Sequence, residues 1–183
     1  MTDTAPSRRF SDGHLWTLDY PTAVAAARLL ARFAATGGAQ LVVAVARGGL
    51  WPAAAIAADL RLPMVSVTAT HNTGEGVRLG ATDDALVSCP VDLSHLKGVR
   101  ALIVDDIYGT GATLRALRQA LPQLHSAPAV TLCRNTGTNG APHAWVWDVS
   151  DWVCFPWEPP PPTGTGTRPL SLPDTLHPSR RPL

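Results

Sequence analysis

No run of apolar residues in this chain is long enough to cross a bilayer; the continuous ones, such as Gln40 to Ala46, have the length of a strand. The opening residues, MTDTAPSRRFSDGH, are polar and lack the hydrophobic stretch of a secretory signal, so a cytoplasmic location is expected. Basic excess is absent as well: 15 Lys and Arg stand against 14 Asp and Glu, a formal net charge of +1. Nothing is left over to neutralise a phosphate backbone, which argues against a nucleic-acid partner. Cysteines number three, Cys89, Cys133 and Cys154, with no CxxC spacing. They read as free thiols in a reducing compartment rather than as a disulfide framework or a zinc site. The six histidines show no HxxxH or HExxH spacing, so no protein-held transition metal is suggested, and no GK[ST] occurs, so a Walker A reading fails.

What remains is a chain of 183 residues, 45% apolar and 16% charged, with enough length for one domain and a substantial core. Pro21 to Thr36 reads as a helix, with proline in its first turn and Gly37-Gly38 as its stop. Gln40 to Ala46 (QLVVAVA) has the continuous apolar character of a strand covered on both faces. It empties into Arg47-Gly48-Gly49, and Trp51-Pro52 then opens an alanine-rich helix to about Leu60. Further strands are expected at Pro63–Thr68, Ala85–Val91, Ala129–Arg134 and His143–Val149. The polar, glycine-rich stretch Ala69 to Asp84 has no periodicity, and a loop that long inside a domain is functional or mobile. After Glu158 the composition turns to PPPPTGTGTRPLSLPDTLHPSRRPL, which predicts an extended or disordered tail over 159–183, outside a domain of residues 1–158. Strands alternating with helices predict an α/β fold with a mainly parallel sheet flanked by helices.

The most informative stretch is Ala101 to Leu117, ALIVDDIYGTGATLRAL. A β-branched apolar run reaches two adjacent carboxylates, Asp105 and Asp106. A short loop, Ile107 to Gly111, follows, and then leucines three and four residues apart on one helical face. Such a strand–loop–helix aims backbone N–H groups and the positive end of a helix dipole at one point, where a phosphate can sit. The carboxylates beside it can hold ribose hydroxyls and a divalent cation. Helix capping alone accounts for neither the paired acids nor the TGxT that follows. The segment is not a dinucleotide loop either, because Leu114 stands where the third glycine of GxGxxG belongs.

VDDIYGTGAT resembles the phosphoribosyl-pyrophosphate (PRPP) motif of type I phosphoribosyltransferases. VARGGLWPA, Val45 to Ala53, resembles the pyrophosphate loop of the xanthine-guanine group of that family, and DWVCFPWE, Asp151 to Glu158, its base-binding segment. The resemblance runs from about Leu15 to Glu158. It implies a Rossmann-like type I phosphoribosyltransferase fold with a small C-terminal base-binding hood, Mg²⁺ as cofactor, PRPP and a nucleobase-like acceptor as substrates, and a homo-oligomer. It further implies that Gly109, Thr110, Gly111, Ala112 and Thr113 cradle the 5′-phosphate. Asp105 and Asp106 hold the ribose hydroxyls, with Asp106 nearest the metal. Arg47 and Gly48 grip the pyrophosphate on a peptide that is often strained in this family. Trp152 stacks on the base, the Val153 backbone meets its edge, and Arg78 in the mobile loop meets the departing pyrophosphate.

Two positions depart from the family's pattern. Where 6-oxopurine transferases usually carry an aspartate that handles the proton at purine N7, this chain has Gly109, with no side chain to act as a base. Where the family places a lysine to read the 6-oxo group, the candidates here are Arg134 and Asn135, and the planar fork of Arg134 differs from a point ammonium. An acceptor other than a standard 6-oxopurine is therefore expected. The rival from another class is a PRPP-binding regulatory protein of the same fold without catalysis. The retained Arg47 loop and the long Ala69–Asp84 loop, both suited to pyrophosphate departure, speak for the enzyme.

Overall fold

The computed structural model describes residues 15–71, 85–89, 98–138, 140–150, 152–161 and 163–179. The chain order is β1 (Leu15–Thr17), α1 (Tyr20–Ala35), β2 (Leu41–Ala46), α2 (Leu50–Leu60), β3 (Met64–His71), β4 (Ala85–Ser88), β5 (Ala101–Tyr108) and α3 (Ala112–Ala120). A 3₁₀ turn (Pro122–Leu124) precedes β6 (Ala129–Asn135), β7 (Ala144–Val149), β8 (Val153–Cys154), β9 (Thr167–Pro169) and β10 (His177–Pro178). Seven strands form the main sheet in the order β10-β7-β6-β5-β2-β3-β4. The five inner strands are parallel, while β4 and β10 close the two edges antiparallel. This is the expected α/β architecture.

The local chemistry explains the elements. Asp19 caps α1 by accepting the Thr22 N–H at 2.8 Å, and Pro21 fills the first turn, where its missing N–H is not needed. The apolar strands face helices on both sides, and their two-residue period sorts them. Val42 and Ala44 of β2 and Leu102 and Val104 of β5 pack with α1 and α2. Leu41, Val43 and Val45, with Ala101 and Ile103, pack instead with Leu117 of α3. Consecutive residues at the end of β5 inherit the same alternation. Asp105 follows Ile103 and Asp106 follows Val104, so the two carboxylates start on opposite faces of the sheet.

Two expectations are corrected. The loop does not begin at Ile107, because β5 runs on through Ile107 to Tyr108 with β6 beside it, pairing Asp105 with Thr131, Ile107 with Cys133 and Tyr108 with Arg134. The acid pair thus sits in a strand that β6 flanks on one side, just past the end of its pairing with β2 at Val104. The C-terminal segment is not a disordered tail over its described residues. It adds β9 to β1 and β10 to β7, buries Leu170, and donates the Ser179 N–H to the His143 carbonyl at 2.8 Å. Its prolines are tolerated because Pro169 and Pro178 lie in edge strands, where a missing donor leaves no ladder bond unmade.

A second, three-stranded sheet, β8-β1-β9, forms the hood. Its middle strand is β1, from the other end of the chain, which short length and mixed polarity hid in the sequence.

Candidate active site

The sheet grows outward from its middle: β2 leads to β3 on one side, and β5 leads to β6 and β7 on the other. The chain therefore reverses its direction of winding between β2 and β5. In open parallel sheets the crevice at the C-terminal ends of two such strands is where ligands bind. β2 delivers Arg47-Gly48-Gly49 there, and β5 delivers Asp105, Asp106 and the loop Gly109 to Thr113.

The two loops touch directly. A Cβ on Gly48 would overlap the Asp106 carboxylate, and one on Gly49 would come within 2.7 Å of the Val45 carbonyl oxygen and 2.9 Å of the Asp105 Cα. The paired glycines exist because there is no room for a side chain, and their closeness seats the Asp106 carboxylate against the Gly48 backbone. The Ala46–Arg47 peptide is cis, and Arg47 itself is exposed at the rim.

The acid pair is costly to keep charged. Burial first, then the Asp106 charge, push the Asp105 carboxyl well above the usual carboxylate range. Burial likewise pushes Asp106 up to about 6; the Ile107 N–H, donating to Asp106 Oδ1 at 2.7 Å, partly offsets this, and the Glu158 charge adds to it. The Asp106 N–H donates to Asp105 Oδ1 at 3.0 Å. Two adjacent half-buried carboxylates, each accepting a backbone N–H, are suited to a divalent cation and to hydroxyl donors. Among the described residues no group of three or more His, Cys, Asp or Glu is arranged to enclose a metal.

The loop from Gly109 turns into α3 at Gly111, whose φ of +77° is the left-handed region that glycine enters without strain. Thr110 Oγ1 accepts the Ala112 N–H at 3.3 Å, and Arg115 Nη1 donates to the Thr110 carbonyl at 2.9 Å, holding the loop's shape from below. The Tyr108 hydroxyl lies against Gly111 and also against Gly140, where a Cβ would come within 2.9 Å of it. Tyr108 thus props the loop from the side, a role its position between Ile107 and Gly109 did not announce.

On the acceptor side the candidates separate. Trp16 N–H bonds the Trp152 carbonyl at 2.9 Å and Leu18 N–H the Cys154 carbonyl at 3.2 Å. By alternation the peptide groups of Val153 point the other way, off the outer edge of β8, and no strand among the described residues pairs there. Trp152 is half-buried beside them. The other C-terminal tryptophans have packing roles: Trp145 and Trp147 are buried, and Trp157 stacks between Phe155 (5.1 Å) and Trp51 (6.1 Å). Arg134 stands one strand away from Tyr108, with its guanidinium 4.6 Å over the Trp145 ring. Its Nε lies 2.8 Å from Asp148 Oδ1, an ion pair by distance in which the N–H is not aimed at the oxygen. Asn135 is buried and accepts the Gly137 N–H at 2.8 Å, so it shapes the next turn. Glu158, read in the sequence only as part of FPWE, accepts the Phe155 N–H at 3.2 Å and exerts its charge on Asp106. Arg78 and positions 72–84 of the expected mobile loop lie outside the described residues.

Comparison with known proteins accords with this geometry. The family described as "phosphoribosyl transferase domain" matches residues 21–162. A xanthine-guanine phosphoribosyltransferase of Gluconobacter oxydans is 33% identical over 126 residues, 66% of this chain and 69% of the relative. Its counterpart from Chromohalobacter salexigens is 31% identical over 121 residues, 65% and 68% of the two chains. Among solved structures, a purine phosphoribosyltransferase from Pyrococcus horikoshii superposes with a TM-score of 0.66 at 25% identity, covering 81% of this chain and 96% of its own.

Proposed function

The chain belongs to the phosphoribosyltransferase family, a PRPP-dependent glycosyltransferase close to the purine group, and on that footing we propose that it joins the 5-phosphoribosyl group of PRPP to a ring nitrogen of a purine-type base. The observation that carries this reading is the contact of the Arg47-Gly48-Gly49 loop with the Asp105–Asp106 pair at the switch point of the sheet.

In the reaction the bond from C1 to the pyrophosphate oxygen breaks, a bond from C1 to the base nitrogen forms with inversion, and the N–H proton of the base passes to the departing pyrophosphate, which leaves with it. The protein's work is to hold both partners in line and keep water out. Gly109 to Thr113 receive the 5′-phosphate on backbone N–H groups, and Asp105 and Asp106 accept hydrogen bonds from the ribose hydroxyls. Arg47 and the Gly48 amide meet the pyrophosphate, whose charge grows as the bond to C1 breaks. Trp152 stacks on the base, the outward peptide groups of Val153 read its edge, and Arg134 meets an acceptor group on its far side. Asp106, with Asp105 beside it, would hold Mg²⁺, which supplies charge neutralisation for the pyrophosphate when bound.

The reading extends to a cytoplasmic homo-oligomer that engages neither nucleic acid nor membrane. In its support, no helix of the described residues is long and apolar enough to cross a bilayer, and the net charge is +1.

The test is pyrophosphate release from PRPP with Mg²⁺ and a panel of purine bases. Turnover on at least one base, abolished by Asp106→Asn, is expected. Tight PRPP binding with no turnover on any base would overturn the enzyme reading in favour of a regulatory binder.

A further inference from the structure

The segment after residue 162 lies beyond the region that matches the family, yet its described part is bound at both ends. At one end β9 joins the hood, with the Leu170 N–H donating to the Thr17 carbonyl at 2.8 Å. The Ser171 carbonyl then accepts the Trp147 indole N–H at 2.7 Å. At the other end β10 pairs with β7, placing His177 opposite Trp145. The imidazole stacks on the Trp145 ring at 5.6 Å between centroids and 10° between planes.

Trp145 is also the ring over which the Arg134 guanidinium lies, and its indole N–H donates to Asp148 Oδ1 at 2.9 Å, the oxygen that Arg134 Nε faces. His177, Trp145, Asp148 and Arg134 therefore form one chain of contacts running from the C-terminal segment to the arginine beside Tyr108. Each contact removes freedom from the next: the imidazole fixes the tryptophan, the tryptophan fixes the aspartate, and both define where a flexible side chain lies. Arg134 Nε is buried with no hydrogen-bond partner, so ring and charge hold it rather than a donor–acceptor pair.

We propose that the C-terminal segment is a strap that positions Arg134 for acceptor recognition, with His177 the positioning residue acting through Trp145. This rests on the assignment of Arg134 to the acceptor side, and the strap itself can be tested apart from that assignment. A stack of two aromatic rings restrains by enough to shift a population about threefold to tenfold, and the strap's effect on acceptor binding falls in that range.

The experiment uses the full chain, His177→Ala and His177→Phe. The Arg134 Nε–H proton, identified in the NMR spectrum by its loss in Arg134→Lys, reports position through the ring current of Trp145 and through its protection from solvent exchange. His177→Ala is expected to move that signal and speed its exchange. It should also raise KM for the base about threefold to tenfold, leaving KM for PRPP unchanged, and His177→Phe should restore both. An Arg134 signal indifferent to His177→Ala overturns the strap. A displaced signal with an unaltered KM for the base overturns the acceptor role of Arg134 and with it the purpose proposed for the strap. Equal rises in both KM values, or no rescue by phenylalanine, show a general loosening and overturn the positioning role.

Discussion

Asp106→Asn should abolish turnover and at the same time make the free protein more stable. Burial and the Glu158 charge hold the Asp106 carboxyl at about 6 against an ordinary 3.8. At about 1.4 kcal/mol per tenfold change in proton affinity, the ionised folded state carries a penalty of up to about 3 kcal/mol. The side chain is half-buried, so water relieves part of this, and about 2 kcal/mol is the working figure. Asparagine is nearly isosteric and keeps an oxygen for the Ile107 N–H, so the substitution removes the charge without stranding that donor. It also relieves Asp105, whose carboxyl the Asp106 charge helps to raise. The sign of the pH dependence follows from the raised value. Below about pH 4 the carboxyl is neutral in folded and unfolded chains alike. Between about 4 and 6 the unfolded chain releases its proton first, so the wild type loses stability as pH rises. The gain from Asp106→Asn should therefore be near zero at pH 4 and reach about 2 kcal/mol by pH 7.5. For a chain of this size that is roughly 4–8 °C in Tm. Urea titrations of both proteins across that range, without Mg²⁺ or PRPP, measure it. A variant no more stable than wild type at pH 7.5, or a difference that does not change with pH, would refute the penalty.

Other outcomes follow from single contacts. Gly48→Ala forces its methyl into the Asp106 carboxylate, and kcat/KM should fall by about 100-fold or more, the scale of a misplaced reacting group, with the fold retained by circular dichroism. Guanine should be a poor acceptor for want of a carboxylate at Gly109, and steady-state assays of Gly109→Asp should show kcat/KM for guanine rising. Leu170→Ala should cost about 2–4 kcal/mol in chemical denaturation, because Leu170 is buried in the main core. Chelating Mg²⁺ should stop pyrophosphate release, and its return should restore it.

Legibility in the sequence tracked how local the cause of each feature was. The central strands declared themselves because β2 and the start of β5 are apolar on both faces, and the phosphate loop did so because its glycines and threonines are adjacent in the chain. The contact of Gly48 with Asp106 joins residues 58 positions apart, and the sequence supplied only its two halves. β1 is too short to carry a period, and its partners come from the far end of the chain. The C-terminal segment misled for the opposite reason. Its prolines forbid a central strand, and composition alone does not show that two edges of two sheets were waiting for strands that need few donors. Arg134 was legible only through the family resemblance, as the residue near the end of a buried strand where a lysine is usual, whereas Asp148 and His177, which hold its surroundings, carry no local mark.

The antiparallel pairing of β10 also bears on solubility. Without β10, β7 would be the outermost strand of the main sheet, six residues long, rich in tryptophan and valine, with a row of open peptide groups facing water. Such an edge invites another copy to pair with it. β10 fills the place with two residues and ends on Pro178, which offers no N–H to a newcomer. A version of this protein ended at residue 162, where the matched family region stops, would keep its active-site residues and expose that edge, and light scattering should show it assembling irreversibly at concentrations where the full chain stays dispersed.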